Sequence, residues 1–187
     1  MLVDMDIEKD VYKKLIEYAC SKSDAVMFVY RMDDLNDKER LLYEKAKQET
    51  KEILKDYFIS SRNGGNWIFN NVEEVVSGWG EHFYKNSPGF DDFFEIMYFK
   101  PSGKVKEFLL SVNSLYSGRF FNQYVEDLSF FKDGYCLLYS ITHEKICWIA
   151  VETKEEYKYL KSIGIKFYED KFIPTLKEDL YYEEYFK

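Results

Sequence analysis

Gly134–Phe167 reads GYCLLYSITHEKICWIAVETKEEYKYLKSIGIKF. An apolar run from Tyr135 to Ile141 is interrupted by Thr142, His143, Glu144 and Lys145. It resumes from Ile146 to Val151. Two runs of strand length on either side of a short polar turn predict a β-hairpin. Alternate side chains of an extended chain share a face. That puts Tyr135, Leu137, Tyr139 and Ile141 on one side and Cys136, Leu138 and Ser140 on the other. Both sets are largely apolar, so the hairpin is expected in mid-sheet, covered on both faces.

The residues that follow supply a cover for one face. Thr153 and Glu156 have the spacing of a capping box, in which the Thr hydroxyl accepts from a first-turn N–H and the Glu reaches back. Tyr157, Leu160 and Ile163 then share a helical face, and Gly164 stands where a left-handed residue ends a helix.

Upstream, Ile7, Val11 and Leu15 recur at helical spacing, with Tyr12 and Ala19 beside them, predicting a helix from Asp6 to Cys20. Ala25–Tyr30, AVMFVY, is a continuous apolar run and reads as a buried strand. From Asn36 to Phe58 a long helix is expected, with Leu42, Ala46, Glu49, Ile53 and Tyr57 as its inner stripe. Lys45, Lys47, Lys51, Glu52, Lys55 and Asp56 would form its solvated face. Ser60–Asn66, SSRNGGN, reads as the loop that stops it.

Trp67–Phe69 fits a short strand or a loop, Asn71–Lys85 a turn or two of helix, and Asn86–Gly89 a turn. Phe90–Phe99 and Val105–Val112 are expected to pair as a hairpin through Pro101, Ser102 and Gly103. Leu128–Phe131 leads into Asp133-Gly134, a hairpin turn signal. Thr175 and Glu178 repeat the capping spacing and predict a terminal helix. Consecutive hairpins imply an antiparallel sheet. The expected class is therefore α+β, with about five strands and three or four helices packed on them in a single domain over residues 1–187.

Composition narrows the functional classes. Aromatic residues make up 19% of the chain, while 3 Pro and 9 Gly leave little room for linkers. No stretch approaches the ~18 consecutive apolar residues of a membrane span. The acidic start, MLVDMDIEKD, has no apolar leader segment. With three widely spaced cysteines, a reducing, cytoplasmic setting and free thiols are expected. A net charge of −8 disfavours nucleic acid and anionic membranes and favours a basic partner.

Catalytic constellations are sparse. The histidines are His82 and His143, too few for the three or four ligands of a zinc site unless Cys136 and Cys147 join His143. Those cysteines lie in apolar runs, where a thiol behaves as a small hydrophobe and not as a nucleophile. No nucleophile elbow is present, and Asn63-Gly64-Gly65-Asn66 lacks the lysine and spacing of a phosphate-binding loop. Adjacent carboxylates such as Glu183-Glu184 point to opposite faces of a strand. No catalytic, metal or cofactor residue is assigned, and the balance leans away from an enzyme.

The stretch from Glu73 to Glu95 carries six carboxylates interleaved with aromatic residues. Aromatic anchors ringed by charge suit a protein interface. Glu73, Glu74, Trp79, Glu81, His82, Asp91 and Asp92 are therefore the candidate partner-binding residues. The alternative is that the aromatics are core and the carboxylates solvated.

Phe28-Val29-Tyr30-Arg31, the long helix ending near Tyr57, Ser61-Arg62 and Asn66-Trp67 together resemble the N-terminal third of small acidic bacterial toxin-immunity proteins. The resemblance implies a cytosolic protein that blocks a basic toxin domain by direct contact. It assigns no site residue. The other readings are a small enzyme or ligand-binding module, and a phage or mobile-element accessory protein.

Overall fold

The structure, a computed structural model, describes residues 1–31, 37–63, 94–116, 126–142 and 144–182. Among them a six-stranded antiparallel sheet carries four helices, an α+β arrangement. The elements are α1 (Lys9–Lys22), β1 (Ala25–Arg31), α2 (Asp37–Leu54), β2 (Phe58–Asn63), β3 (Phe94–Phe99), α3 (Lys104–Leu109), β4 (Glu126–Lys132), β5 (Tyr135–Ile141), β6 (Ile146–Ile149) and α4 (Lys154–Ser162). The strand order is β2-β3-β1-β4-β5-β6.

The continuous apolar run of β1 lies between β3 and β4, and every residue from Ala25 to Tyr30 is fully buried. Val26, Phe28 and Tyr30 face the helices, joined there by Met97 and Phe99 of β3, Leu128 and Phe130 of β4, Leu138 of β5 and Ile149 of β6. The Phe28 ring packs 5.0 Å from Phe99 and 5.6 Å from Phe108 of α3. α1 supplies Tyr12, Leu15, Ile16 and Ala19 to this core, and the Tyr12 hydroxyl donates to the Leu109 carbonyl at 2.5 Å. The other face of the sheet is apolar as well: Ala25, Met27, Val29, Ile96, Tyr98, Phe131 and Cys136 form a second buried cluster.

The β5–β6 hairpin forms as expected but lies at one end of the sheet; the buried centre is β1. Its faces also divide differently. The pairing of β4 with β5 shifts between Phe130 and Phe131, so Phe130 meets Leu138 whereas Phe131 meets Cys136. One extra residue on β5 reverses the alternation. Leu138 therefore joins the helix-side core and Cys136 the opposite cluster. The preceding turn follows its sequence signal: Asp133 and Gly134 have φ of 50° and 85°, the left-handed pair of a tight hairpin.

Val105–Val112 does not form a strand. Lys104–Leu109 is helical, and Val105, Phe108 and Leu109 are its buried residues. Their spacing of three and four is helical, and it competed with a turn signal at Pro101–Gly103. β3 pairs instead with β1 and β2. Ser60–Asn63, expected as loop, belongs to β2, whose polar sequence is drawn into the sheet by backbone pairing with β3.

On α2 the inner stripe is Ala46, Lys47, Thr50 and Leu54, while Leu42 and Ile53 are 53% and 46% exposed. Lys47, expected in solvent, is buried against Glu95. Where a helix is expected from Thr175, the described residues, up to Tyr182, form one 3-10 turn, Lys177–Asp179. Thr175 does not cap it; its hydroxyl accepts from the Val151 N–H at 3.1 Å.

Residues 1–4 run along the outer side of β6. Val3 N–H donates to Cys147 at 2.9 Å, and Asp4 N–H donates to Lys166 at 2.8 Å. The edge of the hairpin is thus closed by the beginning of the chain and by the stretch after α4. Cys20, Cys136 and Cys147 form no disulfide.

Candidate functional site

The expected partner-binding residues Glu73, Glu74, Trp79, Glu81, His82, Asp91 and Asp92 lie outside the described residues, as do Trp67–Phe69, Asn71–Lys85, Asn86–Gly89 and His143. Among the described residues, no group of three His, Cys, Asp or Glu side chains converges as a metal site. No described helix is long and apolar enough to cross a membrane.

Of the described arrangements of charged side chains, two bear on a candidate site. The first is interior. Glu95 of β3 lies under α2, where it accepts from Lys47 at 2.9 Å and Lys51 at 2.5 Å. Lys47 reaches Glu44 as well, at 2.8 Å. The Lys47 side chain is 7% exposed and that of Glu95 13%. Burial pushes the Glu95 carboxyl up, but the hydrogen bonds and charges of Lys47 and Lys51 outweigh it and hold the group below the usual carboxylate range. Burial would lower Lys47, and its bonds to Glu44 and Glu95 raise it instead. Both groups stay charged, which suits a fastening between α2 and the sheet. A general acid or base needs a group poised to change charge.

The second is a surface groove between the end of α1 and the start of α4. Its construction begins at the α4 cap. The Thr153 hydroxyl accepts from the Glu156 N–H at 3.2 Å. Glu156 Oε2 accepts from the Glu152 N–H at 3.1 Å, one residue earlier than the usual reciprocal bond. This fixes the carboxylate with Oε1 directed at α1. There Lys22 Nζ donates at 3.0 Å and the Tyr18 hydroxyl at 3.4 Å. Tyr18 and Lys22 are one turn apart on α1 and so share a face. The Tyr18 ring also packs 5.5 Å from Tyr159 of α4, with Lys22 Nζ 5.9 Å from its centroid.

Beside this junction is a cleft of about 260 Å³ lined by Ala19, Leu137, Leu138 and Ala150, together with the charged Glu152 and Lys132. A second, shallower trough of about 390 Å³ is bounded by Glu17, Ser21, Glu155 and Tyr159. Tyr18, Lys22 and Glu156 are common to both. The groove thus joins an apolar floor, two tyrosines and four carboxylates. Burial pushes the Glu156 carboxyl up, yet the bonds from Lys22 and from the Glu152 and Thr153 backbone hold it below its usual range. Burial, and then the nearby Glu156 charge, push the Tyr18 phenol up, so it remains a neutral donor.

The sequence marked Glu156 as a capping residue, left Tyr18 and Glu17 without a role beyond the first helix and ended that helix at Cys20, with Lys22 among the residues breaking it, whereas α1 runs on to Lys22. Nothing local signals that residue 22 meets residue 156. Only the i, i+4 spacing of Tyr18 and Lys22 was there to be read.

The site and fold define an α+β protein with an acidic, aromatic groove beside its terminal hairpin. No family model, curated protein or solved structure matches this chain.

Proposed function

We propose that this chain is a cytoplasmic binding protein, an immunity or inhibitor protein that neutralises a basic toxin by direct protein–protein contact. The observation that carries this reading is the α1–α4 groove. Glu17, Glu152, Glu155 and Glu156 line the groove around the tilted ring pair of Tyr18 and Tyr159, and Tyr159 is 45% exposed. Aromatic side chains give contact area at low entropic cost, and the surrounding carboxylates select a cationic surface. The net charge of −8 acts in the same direction at longer range, by accelerating encounter with a basic protein. Three cysteines outside any disulfide are in keeping with a reducing compartment. Phe28 and Tyr30, which carry part of the resemblance to immunity proteins, are core residues and support the fold instead of the contact.

The test is co-expression with the product of an adjacent toxin-like gene, followed by calorimetric titration of the purified pair. The expected outcome is restored growth and a 1:1 complex whose association slows as salt is raised. A toxin that neither binds nor is neutralised would overturn the reading.

A further inference from the structure

We propose that the α1–α4 groove seats an arginine side chain of the basic partner, in the position that Lys22 now fills. This deepens the reading above and rests on it. Lys22 marks the place: its ammonium is 3.0 Å from Glu156 and 5.9 Å from the Tyr18 centroid, so the groove already holds a cation between a carboxylate and an aromatic ring. The two members of this pair are not equally fixed. The Lys22 side chain is 49% exposed and can turn out into solvent. The Glu156 side chain is 21% exposed and is tied by the Glu152 N–H at the helix cap, so it stays when Lys22 leaves.

Charge favours the exchange. Four carboxylates and two ammonium groups line the groove, and the departure of Lys22 leaves Glu152, Glu155 and Glu156 facing Lys132, while Glu17 keeps Lys106 at 3.8 Å. Lys132 is itself 3.4 Å from Asp24. The methylene stem of the incoming residue has Ala19, Leu137, Leu138 and Ala150 to lie on. The same geometry selects arginine over lysine. A lysine would exchange one ammonium for another with little gain. A planar guanidinium stacks on a tyrosine face and presents a fork of donors to Glu156 and the neighbouring Glu152.

The experiment uses the full chain and two short blocked peptides, acetyl-Gly-Arg-Gly-amide and its lysine counterpart, titrated with NMR observation of the Tyr18 and Tyr159 rings. The proteins are the parent, Lys22→Ala and Glu156→Gln; the glutamine keeps the cap acceptor, and thermal melts confirm folding. The arginine peptide is expected to shift both tyrosines and to bind more tightly than the lysine peptide. Lys22→Ala should strengthen arginine binding by about two- to fivefold, the effect of one exposed charge pair. Glu156→Gln should weaken it by a similar factor. Shifts confined to other residues, equal binding of the two peptides, or weaker binding by Lys22→Ala would overturn the proposal. Arginine binding without toxin neutralisation would overturn the immunity reading and leave the seat standing. Neutralisation unaffected by Glu156→Gln, with no arginine binding, would remove the seat and leave that reading standing.

Discussion

Glu95 shows how one residue can hold an element in place and tie stability to pH. It lies beneath α2 between Lys47 and Lys51, with the Tyr30 phenol close by. In the unfolded chain a glutamate titrates near pH 4.3. In the fold Glu95 stays ionised below its usual range, so the unfolded chain binds more protons in acid. The stability it contributes is present above that unfolded value and is lost as pH falls through the folded one. Lys47 behaves oppositely: its proton is held above the usual range, so its contribution is present at neutral pH and lost as pH rises through the raised value. Glu95→Gln is expected to cost about 3 kcal/mol at pH 7, the low end for removing one member of a buried pair, and to flatten the acid limb of the stability curve. Urea melts from pH 3 to 8 check both. Unchanged acid sensitivity would show that other carboxylates govern it. Lys47→Met, which leaves Glu95 with Lys51, should cost less.

At the scale of elements, α4 is the helix whose ends the sequence describes best. Its start is held by Thr153 and its end by a glycine turn. Gly164 has φ of 105°, its N–H donates to Lys161 at 3.1 Å, and the Ile165 N–H donates to Leu160 at 3.0 Å. These two bonds satisfy carbonyls that the helix would otherwise leave open. The cap also positions Glu156, so it serves both the helix and the groove. Thr153→Ala is expected to cost about 1 kcal/mol of stability, the usual loss for a capping hydroxyl. It should also weaken arginine-peptide binding in the groove, because Glu156 loses a fixed backbone. Thermal denaturation and the tyrosine titration on the same variant read the two effects. Full groove affinity with a lowered melting temperature would show that the Glu152 N–H alone holds the carboxylate.

The hairpin and α1 were legible for the same reason as α4: each carries its own caps, turn residues or periodic apolar positions. α2 was legible as a helix but not in its orientation. Leu42 and Ile53 satisfy the helical period as well as Thr50 and Leu54 do, and they are the exposed ones. Glu95 on a distant strand draws Lys47 inward and turns the helix accordingly. Likewise Val105–Leu109 has a periodicity too short to choose between strand and helix until α1 and β1 pack against it.

At the scale of the molecule, the chain closes its own sheet edge. Residues 1–4 lie between β6 and the stretch that follows α4, with Ile149 N–H donating to Met1 at 3.0 Å and Tyr168 N–H to Leu2 at 3.0 Å. An uncovered strand edge is a template for pairing with another chain. Removing residues 1–4 should therefore lower the melting temperature and produce light scattering that rises with protein concentration. A truncated chain with the melting temperature and scattering of the full one would show that the edge needs no cover.

Local chemistry determined where many elements begin and end, the α+β class and the burial of β1, because caps, turns and unbroken apolar runs act over a few residues. Only the tertiary structure decided strand order, the bulge that sends Leu138 and Cys136 to opposite faces, the inward face of α2 and the meeting of Lys22 with Glu156. Strand order, the face of α2 and the meeting of Lys22 with Glu156 depend on contacts between residues tens to more than a hundred positions apart, whereas the bulge pairs neighbouring hairpin strands and is placed by the two buried faces it serves. Such contacts are selected by the packing of the whole core, and no local pattern encodes them.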